Sequence, residues 1–316
     1  MRRRIALYFT FFVVLCYTIF LNQDIIFEYL KEFYIKFTPK PKISVLLSSY
    51  NMGEYLPFAI DSIIHQTYTD WEMVVINDGS TDRTKENLRK YRMNPKIRTI
   101  TNRKNIGLIP SLNKGLKRLR GEFIARMDAD DISYPDRFER SLALMERENL
   151  DFVGAWCREG KRPYNIARKD VLNTYSIGMR LLNKNLYCQS ATMARKSFLD
   201  KHNIVYNPEY LNAEDYDYYM QVFLHGGRMA YMGGKPLSIY HRTSHSVKWF
   251  KTQNRSARKI RARALATIIP DYDKKLLRIP RAELMQYVIE GNKKTKIFNQ
   301  DELIKCQETK CYSVFR

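Results

Sequence analysis

The stretch from Phe123 to Asp131 limits the possible folds most sharply. Phe123-Ile124-Ala125-Arg126-Met127 has the apolar character of a buried strand, and it runs directly into Asp128, Asp130 and Asp131. Carboxylates this close repel one another and are costly to bury without a partner. A cation at the strand end relieves both problems. Mg²⁺ and Mn²⁺ prefer oxygen ligands and often bind through one or two carboxylates plus substrate phosphates. Open α/β sheets bind ligands at the carboxyl ends of their strands, so the stretch reads as a metal–phosphate site on such a sheet. Two other readings compete. Asp, Ser and Pro after a strand are ordinary loop residues, and Asp131 to Asp136 would also serve to cap a following helix. An EF-hand loop would use Asp128, Asp130 and Glu139, but Ile132 and Ser133 stand where an oxygen ligand and the turn glycine are needed, which rules it out.

The surrounding pattern supports a sheet. Lys42 to Asn51 reads as a buried strand, and Leu56, Ala59, Ile60, Ile63 and Ile64 recur at helical spacing. Strands follow at Trp71–Ile76, Ile97–Thr101 and Glu122–Met127, with helices at Lys85–Tyr91 and Leu108–Leu119. This β-α-β order predicts a mostly parallel, three-layer α/β/α sheet. Beyond it the pattern predicts a helix over Pro135–Glu148, a strand over Asp151–Cys157, a strand-like piece at Ser190–Met193, and two short strands within Met229–Tyr240. A second acidic knot, Asn212-Ala213-Glu214-Asp215-Tyr216-Asp217, opens a helix running to Leu224.

The two ends differ from this centre. Arg2-Arg3-Arg4 precedes Ile5–Leu21, an apolar run at the short end of the roughly 17–25 residues that span a bilayer. No small-residue cleavage site follows it, so it reads as a retained membrane anchor. Residues 23–42, with Pro39 and Pro41, read as a stem and linker. Residues 43–250 form the α/β domain, and 251–316 a basic helical tail. Within Lys251–Ile269, Ala257, Ile260, Ala264, Leu265 and Ile268 share one helical face, which predicts a basic amphipathic helix lying on anionic lipid. Net charge is +21, which implies an anionic partner. Five cysteines are scattered without a CxxC, so neither a disulfide framework nor a zinc site is indicated, and a reducing compartment is expected.

Four separated pieces then fall into one order: Ser48-Ser49-Tyr50-Asn51, Asn77-Asp78-Gly79-Ser80-Thr81-Asp82, Met127-Asp128-Ala129-Asp130-Asp131 and Glu214-Asp215-Tyr216-Asp217. Over Ile43–Lys248 this order resembles the family 2 glycosyltransferases, whose fold is of the GT-A type. The resemblance implies that Asp78 accepts a hydrogen bond from the nucleotide base, favouring uracil, and that Ser49 and Tyr50 line the nucleotide. Asn77 departs from the acid usual at that position. By the same resemblance Asp130 ligates a divalent metal, Mn²⁺ or Mg²⁺, and Asp128 contacts the ribose or the metal. Asp215 resembles the general base with Glu214 beside it, and His245 resembles a late histidine that approaches the metal or diphosphate.

The implied activity is metal-dependent, inverting sugar transfer from a nucleotide-sugar, UDP-linked by preference, to a glycan or lipid-linked acceptor in cell-envelope polysaccharide synthesis. A bacterial enzyme using cytosolic donor would face the cytoplasm from the inner membrane. Arg2–Arg4 and the lysines Lys31, Lys36, Lys40 and Lys42 pull the orientation in opposite directions. A lumenal, Golgi-type anchor is the other arrangement. A catalytically silent nucleotide-sugar binder or scaffold is the alternative function. Nucleic-acid binding has only charge in its favour, with no helix-turn-helix, zinc or RNP signature.

Overall fold

The structure, a computed structural model, describes residues 37–159, 170, 172–241 and 250–311. Strands β1 (Ile43–Ser49), β2 (Trp71–Asn77) and β4 (Phe123–Asp128) belong to a seven-stranded sheet ordered β3 (Ile97–Thr101), β2, β1, β4, β8 (Thr192–Arg195), β6 (Phe152–Ala155), β9 (Met229–Met232). All seven residues of β1 and of β2 are buried, as strands covered on both faces require. β3 (Ile97–Thr101) completes the parallel half. The connections are α1 (Leu56–Ile64), α2 (Thr84–Arg89) and α3 (Leu108–Leu116).

The two-residue period of β1 divides the core. Ile43, Val45 and Leu47 face Ile60 and Ile63 of α1 and Phe138 and Leu142 of α4 (Arg137–Arg147). Leu46 points the other way, toward Leu112 of α3 and a second cluster that takes in α5 (Thr174–Leu181) and α7 (Glu214–Leu224). The expected three layers are therefore present.

The second half departs from a simple parallel series. β8 (Thr192–Arg195) runs antiparallel to both β4 and β6 (Phe152–Ala155), while β9 (Met229–Met232) is parallel to β6. The strand expected over Asp151–Cys157 breaks at Trp156. Its continuation, β7 (Cys157–Glu159), joins β5 (Ile132–Ser133) and β10 (Ser238–Tyr240) in a small separate sheet.

After α6 (Lys196–Lys201), the helices α8 (Phe250–Ile268), α9 (Arg281–Thr295) and α10 (Gln300–Glu308) close the second layer. Here one expectation is corrected. Ile260, Ala264, Leu265 and Ile268 of α8 are 0% exposed, because the apolar face packs on α7 and α9. That face is filled by protein and is not free to enter lipid, whereas Arg255, Arg258 and Lys259 remain in solvent.

The cysteine reading is corrected as well. Cys157 pairs with Cys188 and Cys306 with Cys311, at Cα separations of 5.7 and 4.9 Å. The first pair joins β7 to a loop distant in sequence, a proximity that spacing cannot reveal, so the inference of a reducing compartment loses its basis. Among the described residues no helix is long and apolar enough to cross a membrane. Ile5–Leu21 lies outside them, as does His245.

Candidate active site

Parallel pairing sets the carboxyl ends of the central strands side by side. Ser48 is in register with Ile76 on one side and with Asp128 on the other, and Ser49 with Asn77. The loops that follow are tied together. Asp78 N–H donates to the Ser49 carbonyl (2.8 Å), Asn51 N–H to Ser80 Oγ (3.0 Å), and Thr81 N–H to Asn51 Oδ1 (2.9 Å). Gly79 has φ +67°, and a Cβ there would collide with the Lys104–Asn105 backbone, so the turn admits only glycine.

Asp78 is 2% exposed. Its Oδ1 accepts from Asn102 Nδ2 (2.8 Å) and Ile106 N (2.9 Å), and its Oδ2 from Gly107 N (2.9 Å). It thus fastens the 102–107 loop over the end of β2. A carboxylate offers about four lone-pair sites, so about one is left. Ser49 is buried with its Oγ unpartnered, and Tyr50 is exposed beside it.

The acid cluster rests on two buried arginines whose role the sequence reading missed. Arg126 Nη2 donates to Asp128 Oδ1 (2.8 Å), and Nη1 to the carbonyls of Leu46 (3.1 Å) and Met127. Burial works against its charge most strongly, but Asp128, Tyr206, Glu214 and Tyr219 together outweigh it and hold the guanidinium above its ordinary value. Arg137 lies fully buried with its Nη2 on the carbonyls of Arg126 (2.7 Å) and Thr192 (3.1 Å). Burial draws it down to about 9, against the pull of Asp131. The available signal was an arginine inside an otherwise apolar strand, which must find a carboxylate.

Asp130 is pushed up to about 6, first by burial and then by the charge of Asp128. Asp131 is not a helix cap. It is 1% exposed, its Oδ1 accepts from His241 N (3.0 Å), and its Oδ2 has no partner. Burial and then Asp128 push it upward too.

α7 delivers the second acidic pair. Asp215 Oδ1 accepts from its neighbour Tyr216 N (2.7 Å) and Oδ2 from Asn185 Nδ2 (2.9 Å), while Glu214 Oε2 is buried without a partner. Burial raises both carboxyls. The charge of Asp215 adds to the rise at Glu214, and the Tyr216 and Asn185 donors restrain it at Asp215. Asn185 is a further residue missed in the sequence, where it is one loop asparagine among several.

One cavity of about 440 Å³ brings Asp128, Asp131, Glu214 and Asp215 to a common wall. Ser49, Tyr50, Asp78 and Asp130 do not line it. The tightest group of three candidate metal-ligating side chains among the described residues is Asp131, Cys157 and Cys188. With the two sulfurs bonded to each other, it offers a single carboxylate and no metal cage.

The Glycosyl transferase family 2 profile matches residues 44–202, ending before Glu214. An uncharacterized glycosyltransferase of Haemophilus influenzae is 31% identical over 237 residues, covering 70% of this chain and 72% of its own length. WfgD of Escherichia coli, a UDP-Glc:alpha-D-GlcNAc-diphosphoundecaprenol beta-1,3-glucosyltransferase, is 32% identical over 111 residues, which span 35% of this chain and 44% of that protein. Among solved structures, S. aureus TarS 1-349 in complex with UDP superposes with TM-score 0.56 at 18% identity, over 86% of this chain and 89% of that one. The mannosyltransferase PcManGT from Pyrobaculum calidifontis, in complex with GDP-Man and Mn2+, gives TM-score 0.54 at 17% identity, over 87% and 88%. At such identities these likenesses establish the fold alone.

Proposed function

The chain belongs to the family 2 glycosyltransferases, and from that premise we propose a metal-dependent, inverting transferase. It moves a sugar from a nucleoside diphosphate, UDP by preference, to a hydroxyl of a glycan or lipid-linked acceptor in cell-envelope polysaccharide synthesis. The observation that carries this reading is the single cavity shared by Asp128, at the end of β4, and the Glu214–Asp215 pair, at the start of α7.

The residues fit a divalent cation. Asp128 and Asp130 are hard oxygen donors, and Asp130 is held above the usual carboxylate range by burial and by its neighbour, a strain that a cation relieves. Asp130 is the ligand in this reading, Asp128 meets the ribose or the ion, and His245, outside the described residues, is a further candidate ligand by family resemblance. When bound, such an ion supplies Lewis-acid neutralisation of the departing diphosphate.

The remaining work falls to side chains. Ser49 and Tyr50 flank the nucleotide, and Asp78 offers its remaining lone pair to the imide N–H of uracil. Asp215, steadied by Asn185 and the Tyr216 N–H, takes the proton of the acceptor hydroxyl as that oxygen attacks the anomeric carbon. Charge of oxocarbenium type develops on the sugar, and a single in-line displacement inverts the centre. Ile5–Leu21 is the anchor in this proposal, holding the enzyme at the bacterial inner membrane with its site toward cytosolic donor. WfgD, named for the acceptor alpha-D-GlcNAc-diphosphoundecaprenol, supports a lipid-linked acceptor here.

The test is nucleoside diphosphate release from UDP- and GDP-sugars, with and without Mn²⁺. Mn²⁺-dependent release that Asp215→Asn abolishes supports the proposal. Intact nucleotide-sugar binding with no release from any donor would mark a silent relative instead.

A further inference from the structure

Four polar atoms on or beside the cavity wall are buried without a hydrogen-bond partner: Gln189 Nε2, Asn212 Nδ2, Asp131 Oδ2 and Glu214 Oε2. Native interiors leave few such atoms, and each one needs an explanation. Asp131 and Glu214 are only 1% and 5% exposed. By contrast, both ends of the Asn185 amide are engaged, Nδ2 donating to Asp215 and Oδ1 accepting from Tyr187 N. A divalent ion would account for the carboxylates, but not for two amide donors lining the same cavity.

The charge of the lining is one-sided. Among the described residues it holds five carboxylates, Asp128, Asp131, Glu159, Glu214 and Asp215, and no lysine or arginine. Gln253, carried in by α8, adds another neutral amide, and Trp156 an aromatic wall. Amide N–H donors next to carboxylate acceptors match sugar hydroxyls, each of which donates and accepts. A carboxylate on the acceptor sugar itself would meet like charge on this lining.

We propose that this cavity is an acceptor subsite for an uncharged sugar, in which Gln189 and Asn212 donate to hydroxyl oxygens, Asp131 and Glu214 accept from hydroxyls, and acidic sugars are turned away. The proposal rests on the transferase reading and deepens it by naming the class of acceptor.

The wild-type protein is tested with octyl glycosides of glucose, galactose and N-acetylglucosamine against octyl glucuronide. At least one neutral glycoside should accelerate nucleoside diphosphate release roughly tenfold or more over the glucuronide. Gln189→Leu, and separately Asn212→Asp, should raise the KM for that glycoside about tenfold while the donor KM moves less than about twofold. Aspartate tolerates the left-handed backbone at position 212, φ 62°, so that variant keeps the loop. Saturation-transfer NMR with nucleotide present needs no turnover, and it should show contact for neutral glycosides and none for the glucuronide. Equal use or equal contact of glucuronide and glucoside overturns the proposal, as does contact by no neutral glycoside. Folded variants with unchanged acceptor KM overturn the roles of Gln189 and Asn212. If the NMR arm succeeds but no nucleotide-sugar is consumed, the subsite stands and the transferase reading falls.

Discussion

Replacing Arg263 by methionine tests whether α8 and α7 form one folding unit. Arg263 Nη2 lies 2.5 Å from Asp217 Oδ1, and its guanidinium sits 5.0 Å from the Tyr210 ring. Asp217 is 0% exposed at its side chain, Arg263 34%. Removing one partner of a buried pair costs about 3–5 kcal/mol, because the other charge is left uncompensated. Solvent around Arg263 and the surviving Gln221 Nε2 donor to Asp217 Oδ2 (2.7 Å) place the loss at the lower end, about 3 kcal/mol. For a domain of this size that corresponds to a fall in Tm of roughly 6–10 °C.

The pH dependence has a definite sign. Burial raises the Asp217 carboxyl and Arg263 opposes that rise. Without Arg263 the folded-state pKa climbs further above its unfolded value, so the deficit is full at alkaline pH and shrinks as pH falls through the folded value. Thermal unfolding by circular dichroism at pH 5.5 and pH 8 reads both effects, with the larger loss at pH 8. Asp217→Asn combined with Arg263→Met should recover most of it. A single variant within about 1 °C of wild type at both pH values, or a double variant no better than the single, would refute the reasoning.

Other outcomes follow from the site. Asp130→Asn should remove most metal-dependent turnover with the fold intact, and titration calorimetry should show weakened Mn²⁺ binding; unchanged turnover and binding would reassign the ligand. Asp215→Asn should abolish transfer yet keep donor affinity, and if Glu214→Gln is the inactive variant instead, the two roles are reversed. Asn185→Leu removes a donor that restrains the rise of Asp215, so the acid limb of the kcat/KM profile should move to higher pH; an unmoved limb would separate Asn185 from the base. Asp78→Ala should weaken UDP binding about tenfold or more and also lower stability, since it strands the Asn102, Ile106 and Gly107 donors. Equal affinity of the unaltered protein for UDP and GDP would count against uracil selection.

The parallel half of the sheet was legible because β1, β2 and β4 are mostly apolar runs separated by helices of clear period, and a buried parallel strand needs no alternation. The reversed direction of β8 was not legible: Thr192-Met193-Ala194-Arg195 is too short to carry a direction, which its partners Phe123–Ala125 impose. The break at Trp156 is likewise tertiary, held by its indole N–H on the Gly234 carbonyl (3.0 Å). Asp128, Glu214 and Asp215 could be named from local motifs. Asn185 and Arg137 act through partners that only folding brings near, Asp215 and the Thr192 carbonyl among them. The amphipathic face of α8 was read correctly, but periodicity shows that a face is buried and says nothing of what buries it.

The reversal at β8 has a consequence for how such a chain can diverge. Because β8 runs against β4, it is the amino end of β8 that lies beside Asp128, with Ser190 Oγ accepting from the Asp128 N–H (3.0 Å). One rim of the site is therefore made by loops leaving parallel strands, and the other by a loop arriving at an opposed one. Asn183 and Lys184 are exposed and can drift without altering the register of β1, β2 and β4, while Asn185, Cys188 and Ser190 stay tied to Asp215, Cys157 and Asp128. Descendants of one ancestor could then exchange acceptors many times while keeping a single donor.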